Sequence, residues 1–146
     1  MLACTFFGHR DTPQEIELIL QTVLTDLIEQ KQVSSFYVGT HGSFDAMVKS
    51  SLKKLKEKYP HIRYRVVLAY LPSDRDQDLS DTIYPEGLEL TPAKYAIVKR
   101  NQWMLDQCDY VITYVNRPVG GAAKFDALAR KKGKTVLNLK DLISGK

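Results

Sequence analysis

Short apolar runs alternate with amphipathic stretches along this chain, and that alternation restricts it to one fold class. The runs are Leu2–Phe7, Ser35–Val38, Tyr64–Leu71, Asp109–Val115 and Lys134–Leu139, each bounded by polar or glycine-bearing breaks and each read as a buried strand. After the first run, Thr12, Pro13 and Glu15 read as a capping box with proline at the first helical position. Ile16, Ile19, Leu20, Val23, Leu24, Leu27 and Ile28 then recur at helical spacing to about Lys31. A second helix carries Phe44, Val48, Leu52, Leu55 and Tyr59 and stops at Pro60. A third runs from Thr91-Pro92 to about Gln107 and a fourth from Gly121 to Lys132. The segment Pro72–Pro92 has no regular pattern and is read as a loop that is either functional or disordered.

Strand and helix in strict turn predict an α/β domain with a parallel sheet and right-handed crossovers. The strands are apolar enough to be covered on both faces. The expected architecture is Rossmann-like, three layers α/β/α, with five parallel strands in the order 3-2-1-4-5. With 146 residues, the whole chain 1–146 reads as a single domain. Its 44% hydrophobic and 26% charged content is that of a globular protein.

Such a sheet opens a crevice beyond the carboxyl ends of its strands, where the chain reverses between strands 1 and 4. Three loops converge there: Gly8-His9-Arg10 after the first strand, Gly39-Thr40-His41-Gly42-Ser43 after the second, and Asn116 to Gly121, with Arg117, Gly120 and Gly121, after the fourth. Each precedes a helix, whose N-terminus offers unpaired N–H donors to an anion. Glycine lets a backbone approach a phosphate, and Arg10 and Arg117 supply planar donors. The spacings match neither the dinucleotide fingerprint nor the P-loop. Plainer roles stand beside these. A glycine pair after a strand also makes a tight turn, His9 and His41 can cap helices, and Asp45 suits the start of a helix whatever else it does. Arg100 and Asn101 fall in mid-helix, where an exposed polar face is the default, and Trp103 reads as core.

Together, "FFGHR", "FYVGTHGSFDAMV", "RNQWMLDQCDYVITYV" and "GGAAKFDALARKKGK" stand in an order and spacing that resembles the SLOG superfamily. This is the Rossmann-like group containing the Smf/DprA and Lonely-guy proteins, and the likeness is to its small YpsA-like bacterial and phage branch. The resemblance spans about Leu2 to Leu139. It implies a nucleotide or nucleotide-derived ligand at the rim, held by the loop residues named above with Arg100 and Lys124, and a homodimer. Lonely-guy proteins cleave the N-glycosidic bond of nucleoside 5′-monophosphates with the motif P-G-G-x-G-T-x-x-E. Here the glycine pair falls on Gly120 and Gly121, but the next glycine falls on Ala123, the threonine on Lys124 and the glutamate on Ala127. The acid is missing. Asp126 is adjacent, yet one helical residue turns a side chain by about 100°, away from the site.

Anion-friendly loops without a full catalytic set point to a sensor or regulatory module that binds a nucleotide, not to turnover. The alternative is an enzyme, a nucleoside-monophosphate N-glycosidase (phosphoribohydrolase) or deoxyribosyltransferase, with Asp45 as its catalytic carboxylate. A third reading is a protein partner docked through the Pro72–Pro92 loop. The net charge is only +4, and Lys49, Lys53, Lys54, Lys56 and Lys58 lack interleaved aromatics, which counts against a nucleic-acid partner. Two cysteines make neither a disulfide framework nor a metal set, and no cofactor is expected. No run approaches the roughly 20 apolar residues that span a bilayer, and "MLACTFF" lacks a signal peptide's basic start. The expected location is cytoplasmic.

Overall fold

The structure is a computed structural model describing residues 2–71 and 81–144. Strands β1 (Leu2–Gly8), β2 (Val33–Val38), β3 (Arg63–Val67), β4 (Thr82–Ile83), β5 (Tyr110–Tyr114) and β6 (Thr135–Asn138) alternate with helices α1 (Glu17–Gln30), α2 (Gly42–Lys58), α3 (Ala96–Asp106), α4 (Gly121–Lys131) and α5 (Leu139–Ser144). All pairings are parallel and the sheet order is β4-β3-β2-β1-β5-β6.

This corrects the expected five strands in order 3-2-1-4-5. The added strand, β4, has two residues and joins the outer edge beside β3. Val66 N–H donates to Asp81 and Leu68 N–H to Ile83, both at 2.8 Å. Two residues show no period, so backbone pairing alone defines this strand. Without it the remaining neighbours are those anticipated, and the reversal still falls between β1 and β5. Of the expected loop Pro72–Pro92, residues 72–80 lie outside the described residues; its later part holds β4 and a 3-10 turn at Leu88–Leu90.

Alternate residues of each strand face opposite layers. Cys4, Phe6 and Phe36 pack under α1 and α2 with Leu20, Leu24, Phe44, Val48 and Leu52, and Leu139 of α5 joins them. On the other face, Phe7, Val67 and Val111 meet Met104 and Leu105 of α3 and Phe125 and Ala129 of α4. Phe7 stacks on Phe125 at 5.0 Å between centroids.

Local expectations at the first helix change in detail. Residues 14–16 form a 3-10 turn before α1, and no side chain caps it. Thr12 Oγ1 instead donates back to the His9 carbonyl at 2.6 Å, closing the loop after β1 on itself. Cys4 and Cys108 are buried free thiols. Burial pushes both pKa values up, that of Cys108 to about 12, so they pack as small apolar side chains and offer no reactive thiolate. Among the described residues, no helix is long and apolar enough to cross a membrane.

Candidate functional site

A cleft of about 390 Å³ opens at the carboxyl edge of the sheet, within the range of small-molecule sites. Gly8 at the end of β1, with His9 and Arg10 after it, forms one wall, and Arg117, Val119, Gly120 and Gly121 after β5 form the facing wall. His41 and Asp45, at the start of α2, close one end. From α3 come Ile97, Arg100, Asn101 and Met104, with Phe6 and Phe7 as an apolar floor. The reversal between β1 and β5 creates this space, because α1 and α4 leave the sheet on opposite faces.

The predicted residues divide on arrival. Gly8, His9, Arg10, His41, Asp45, Arg100, Arg117, Gly120 and Gly121 line the cleft. Gly39, Thr40, Gly42, Ser43, Asn116 and Lys124 do not. A Cβ on Gly8 would collide with the Phe44 ring, and one on Gly39 would sit 2.7 Å from Asp45 Oδ2. Gly42 has φ +86°, and its Cβ would lie 2.7 Å from the Arg10 Cα. These three glycines let the protein pack on itself. Ser43 serves the same end, donating from its backbone N to the Arg10 carbonyl at 2.8 Å and from Oγ to the Thr12 carbonyl at 2.9 Å. Lys124 is exposed on the first turn of α4, outside the cleft wall.

The Gly120-Gly121 turn differs. Gly120 has φ +102° and ψ 173° as the N-cap of α4, a region open essentially to glycine alone. A Cβ on either glycine would meet nothing within 4 Å. Here the missing side chains leave room for something outside the fold, at a helix end whose N–H groups face an anion favourably.

Arg100 is the residue whose burial mid-helix sequence reasoning underrated: it is 2% exposed. Its Nε donates to Asn101 Oδ1 at 2.8 Å, and its Nη1 to the Val67 carbonyl at 2.8 Å and Thr40 Oγ1 at 3.2 Å. Thr40 therefore holds Arg100 from behind. Guanidinium nitrogens only donate, so the Asn101 atom facing Nε is the oxygen, and the amide nitrogen remains for other partners. Asn101 was the polar wall residue that was missed. The signal was present, because Ile97, Arg100, Asn101 and Met104 follow the i, i+3, i+4, i+7 spacing of a single helix face.

His9 is buried, and its Nε2 accepts the Asn116 N–H at 3.2 Å. Burial, then the Arg117 charge, lowers its pKa, which keeps Nε2 free as an acceptor. His9 and Asn116 thus tie the two walls together at their base. His41 lies with Nδ1 3.0 Å from Thr40 Oγ1, and burial followed by the charges of Arg100 and Arg10 lowers its pKa. Asp126 points away from the cleft, accepting from Thr113 Oγ1 at 2.6 Å and Arg130 Nε at 2.7 Å.

Asp45 Oδ2 accepts the His41 N–H at 3.0 Å. Its pKa is raised because burial outweighs that hydrogen bond and the charges of Arg100 and Lys49. A carboxyl whose pKa is higher folded than unfolded favours folding in its protonated form. Its ionisation costs stability once pH rises through the folded pKa. Asp45→Asn, which can still accept the His41 N–H, is therefore expected to raise the melting temperature at pH 7. The gain should fade as pH falls to about 4, the ordinary carboxylate pKa, in thermal melts across a pH series. Equal melting temperatures at pH 7 would remove the burial penalty. Among the described residues, no group of three or more His, Cys, Asp or Glu could hold a metal ion.

No protein-family model matches this sequence, and no curated protein matches it. Among solved structures, the fold is similar to DNA processing protein A from Helicobacter pylori, described for its unique single-stranded DNA binding mode. The TM-score is 0.53 at 12% identity, over 99% of this chain and 79% of that one. This overturns the expectation that a nucleic-acid partner is disfavoured. That expectation rested on modest net charge and a lysine run without aromatics, and a protein of similar fold binds single-stranded DNA. At this identity the likeness concerns fold: the chain shares with DNA processing protein A the Rossmann-like α/β architecture that its motifs implied.

Proposed function

We propose that the cleft binds a nucleotide unit and that the domain acts as a sensor or regulatory module of the YpsA-like kind. One observation carries this reading. The open Gly120-Gly121 turn at the start of α4 shares a single cleft with Arg10, Arg100 and Arg117 and with an apolar floor. The turn and the guanidinium groups suit a phosphate, while Phe7, Ile97 and Met104 suit a sugar and base. Single-stranded DNA presents the same unit, and the DNA binding of DNA processing protein A supports including it.

Titration calorimetry with a panel of nucleoside monophosphates and with short single-stranded oligonucleotides tests the reading and separates the two forms of ligand. Arg10→Ala, by losing a charge-assisted contact, and Gly121→Val, by steric intrusion, should each weaken binding on the order of tenfold or more. The valine is informative because its Cβ meets nothing in the fold within 4 Å, so an effect on binding with an unchanged melting temperature reports on the ligand. Full affinity in both variants would remove the ligand from this turn.

A second reading rests on Asp45, a carboxyl in the cleft with a raised pKa. Such a group can protonate a departing base or stabilise an oxocarbenium-like state, the chemistry of N-glycosidic cleavage. Release of free base from a nucleotide, lost in Asp45→Asn, would favour this enzyme over the sensor.

A further inference from the structure

The two walls of the cleft are clasped at their tips by an ion pair that the nucleotide reading leaves unused. Arg117 Nη2 donates to Asp11 Oδ1 at 2.9 Å and Nη1 to Asp11 Oδ2 at 3.4 Å. The partners lie 106 residues apart, on the loops after β1 and β5. Asp11 sits in a closed turn: Thr12 donates to the His9 carbonyl from its backbone N at 3.2 Å and from Oγ1 at 2.6 Å. Asp11 is thus held opposite Arg117, a residue that lines the cleft while Asp11 does not.

We propose that Asp11 stands in for the ligand's anionic group at Arg117, so that a phosphate entering the cleft displaces the carboxylate and Asp11 sets how tightly phosphate-bearing ligands are held. The two N–H groups presented to Asp11 are the parallel pair with which a guanidinium grips a phosphate. One fork cannot serve both acceptors in the same geometry. Side-chain exposures of 45% for Arg117 and 70% for Asp11 make the clasp an exposed, exchangeable pair. The base of the loops is tied separately through His9 and Asn116, so opening the clasp need not part the walls. The proposal rests on the nucleotide reading.

The test is a double-mutant cycle, wild type, Asp11→Asn, Arg117→Ala and the double variant. It is titrated with the best-binding nucleoside monophosphate of a panel and with the matching nucleoside. Asp11→Asn should bind the monophosphate tighter by about fivefold, the equilibrium worth of an exposed ion pair, and leave nucleoside affinity unchanged. The gain should vanish in the Arg117→Ala background. Equal or weaker binding by Asp11→Asn overturns the proposal while leaving the nucleotide reading to the wild-type isotherm. A gain that persists without Arg117 also overturns it, since removing a negative charge would then act without the clasp. Absence of binding in all four proteins overturns both the clasp and the nucleotide reading. Both side chains are on the surface, and thermal melts check that each variant is folded.

Discussion

Gly42→Val should lower the melting temperature by roughly 4–20 °C. The glycine opens α2 with φ +86°, a conformation that costs a residue with a Cβ about 1–2 kcal/mol. Steric overlap adds to this, because the new Cβ would lie 2.7 Å from the Arg10 Cα. That neighbour is backbone and cannot rotate aside, and overpacking of this kind costs about 1–3 kcal/mol. A sum of about 2–5 kcal/mol, at about 2–4 °C per kcal/mol for a domain near this size, gives the stated shift. Circular dichroism melts of Gly42→Val beside Gly121→Val would decide the matter. The second variant faces open space and should melt close to wild type. Similar melting of wild type and Gly42→Val would mean that the α2 corner does not rest on Arg10. The prediction bears on function, since the same corner seats the loop that carries His9 and Arg10 into the cleft.

Replacing Arg100 should affect stability and ligand retention together. In Arg100→Ala the Val67 carbonyl, Thr40 Oγ1 and Asn101 Oδ1 lose a charged donor, and the packed side-chain stem is lost as well. Hydrogen bonds to charged groups contribute about 1.5–3 kcal/mol each. Removing the desolvation cost of a buried cation returns part of that, and a net loss of about 3 kcal/mol is expected. Burial lowers the Arg100 pKa despite the nearby Asp45 charge, the mark of a cation that a bound anion would stabilise. Nucleotide affinity should fall on the order of tenfold or more in Arg100→Lys, which keeps the charge but lacks the planar fork. Chemical denaturation and calorimetry separate the roles. A folded Arg100→Lys with full affinity would confine Arg100 to the scaffold, and an Arg100→Ala as stable as wild type would remove it from the scaffold.

How legible the site was depends on the residue. Gly39, Gly42, Gly120 and Gly121 look alike in the sequence: each follows a strand and adjoins or begins a helix. Their uses differ because what surrounds a missing Cβ comes from elsewhere in the chain. Asp45 and Arg100 crowd Gly39 and the Arg10 backbone crowds Gly42, whereas Gly120 and Gly121 face open space. Asp126 was readable by contrast, because helical rotation is local. Arg100 and Asn101 stood between these cases. Their spacing with Ile97 and Met104 showed a shared face, but polar residues on such a face read as solvated until the sheet is laid beneath them.

The sequence by itself determined the parallel α/β architecture, the three layers and the rim where three loops meet. Those follow from apolar periodicity and chain order, which are local properties. Only the tertiary structure decided the β4 edge, the burial of Arg100 against the Val67 carbonyl, and the pairing of Asp11 with Arg117 across 106 residues. Each of these depends on a distance between segments remote in the chain, and such distances are fixed only when the whole sheet has closed its core.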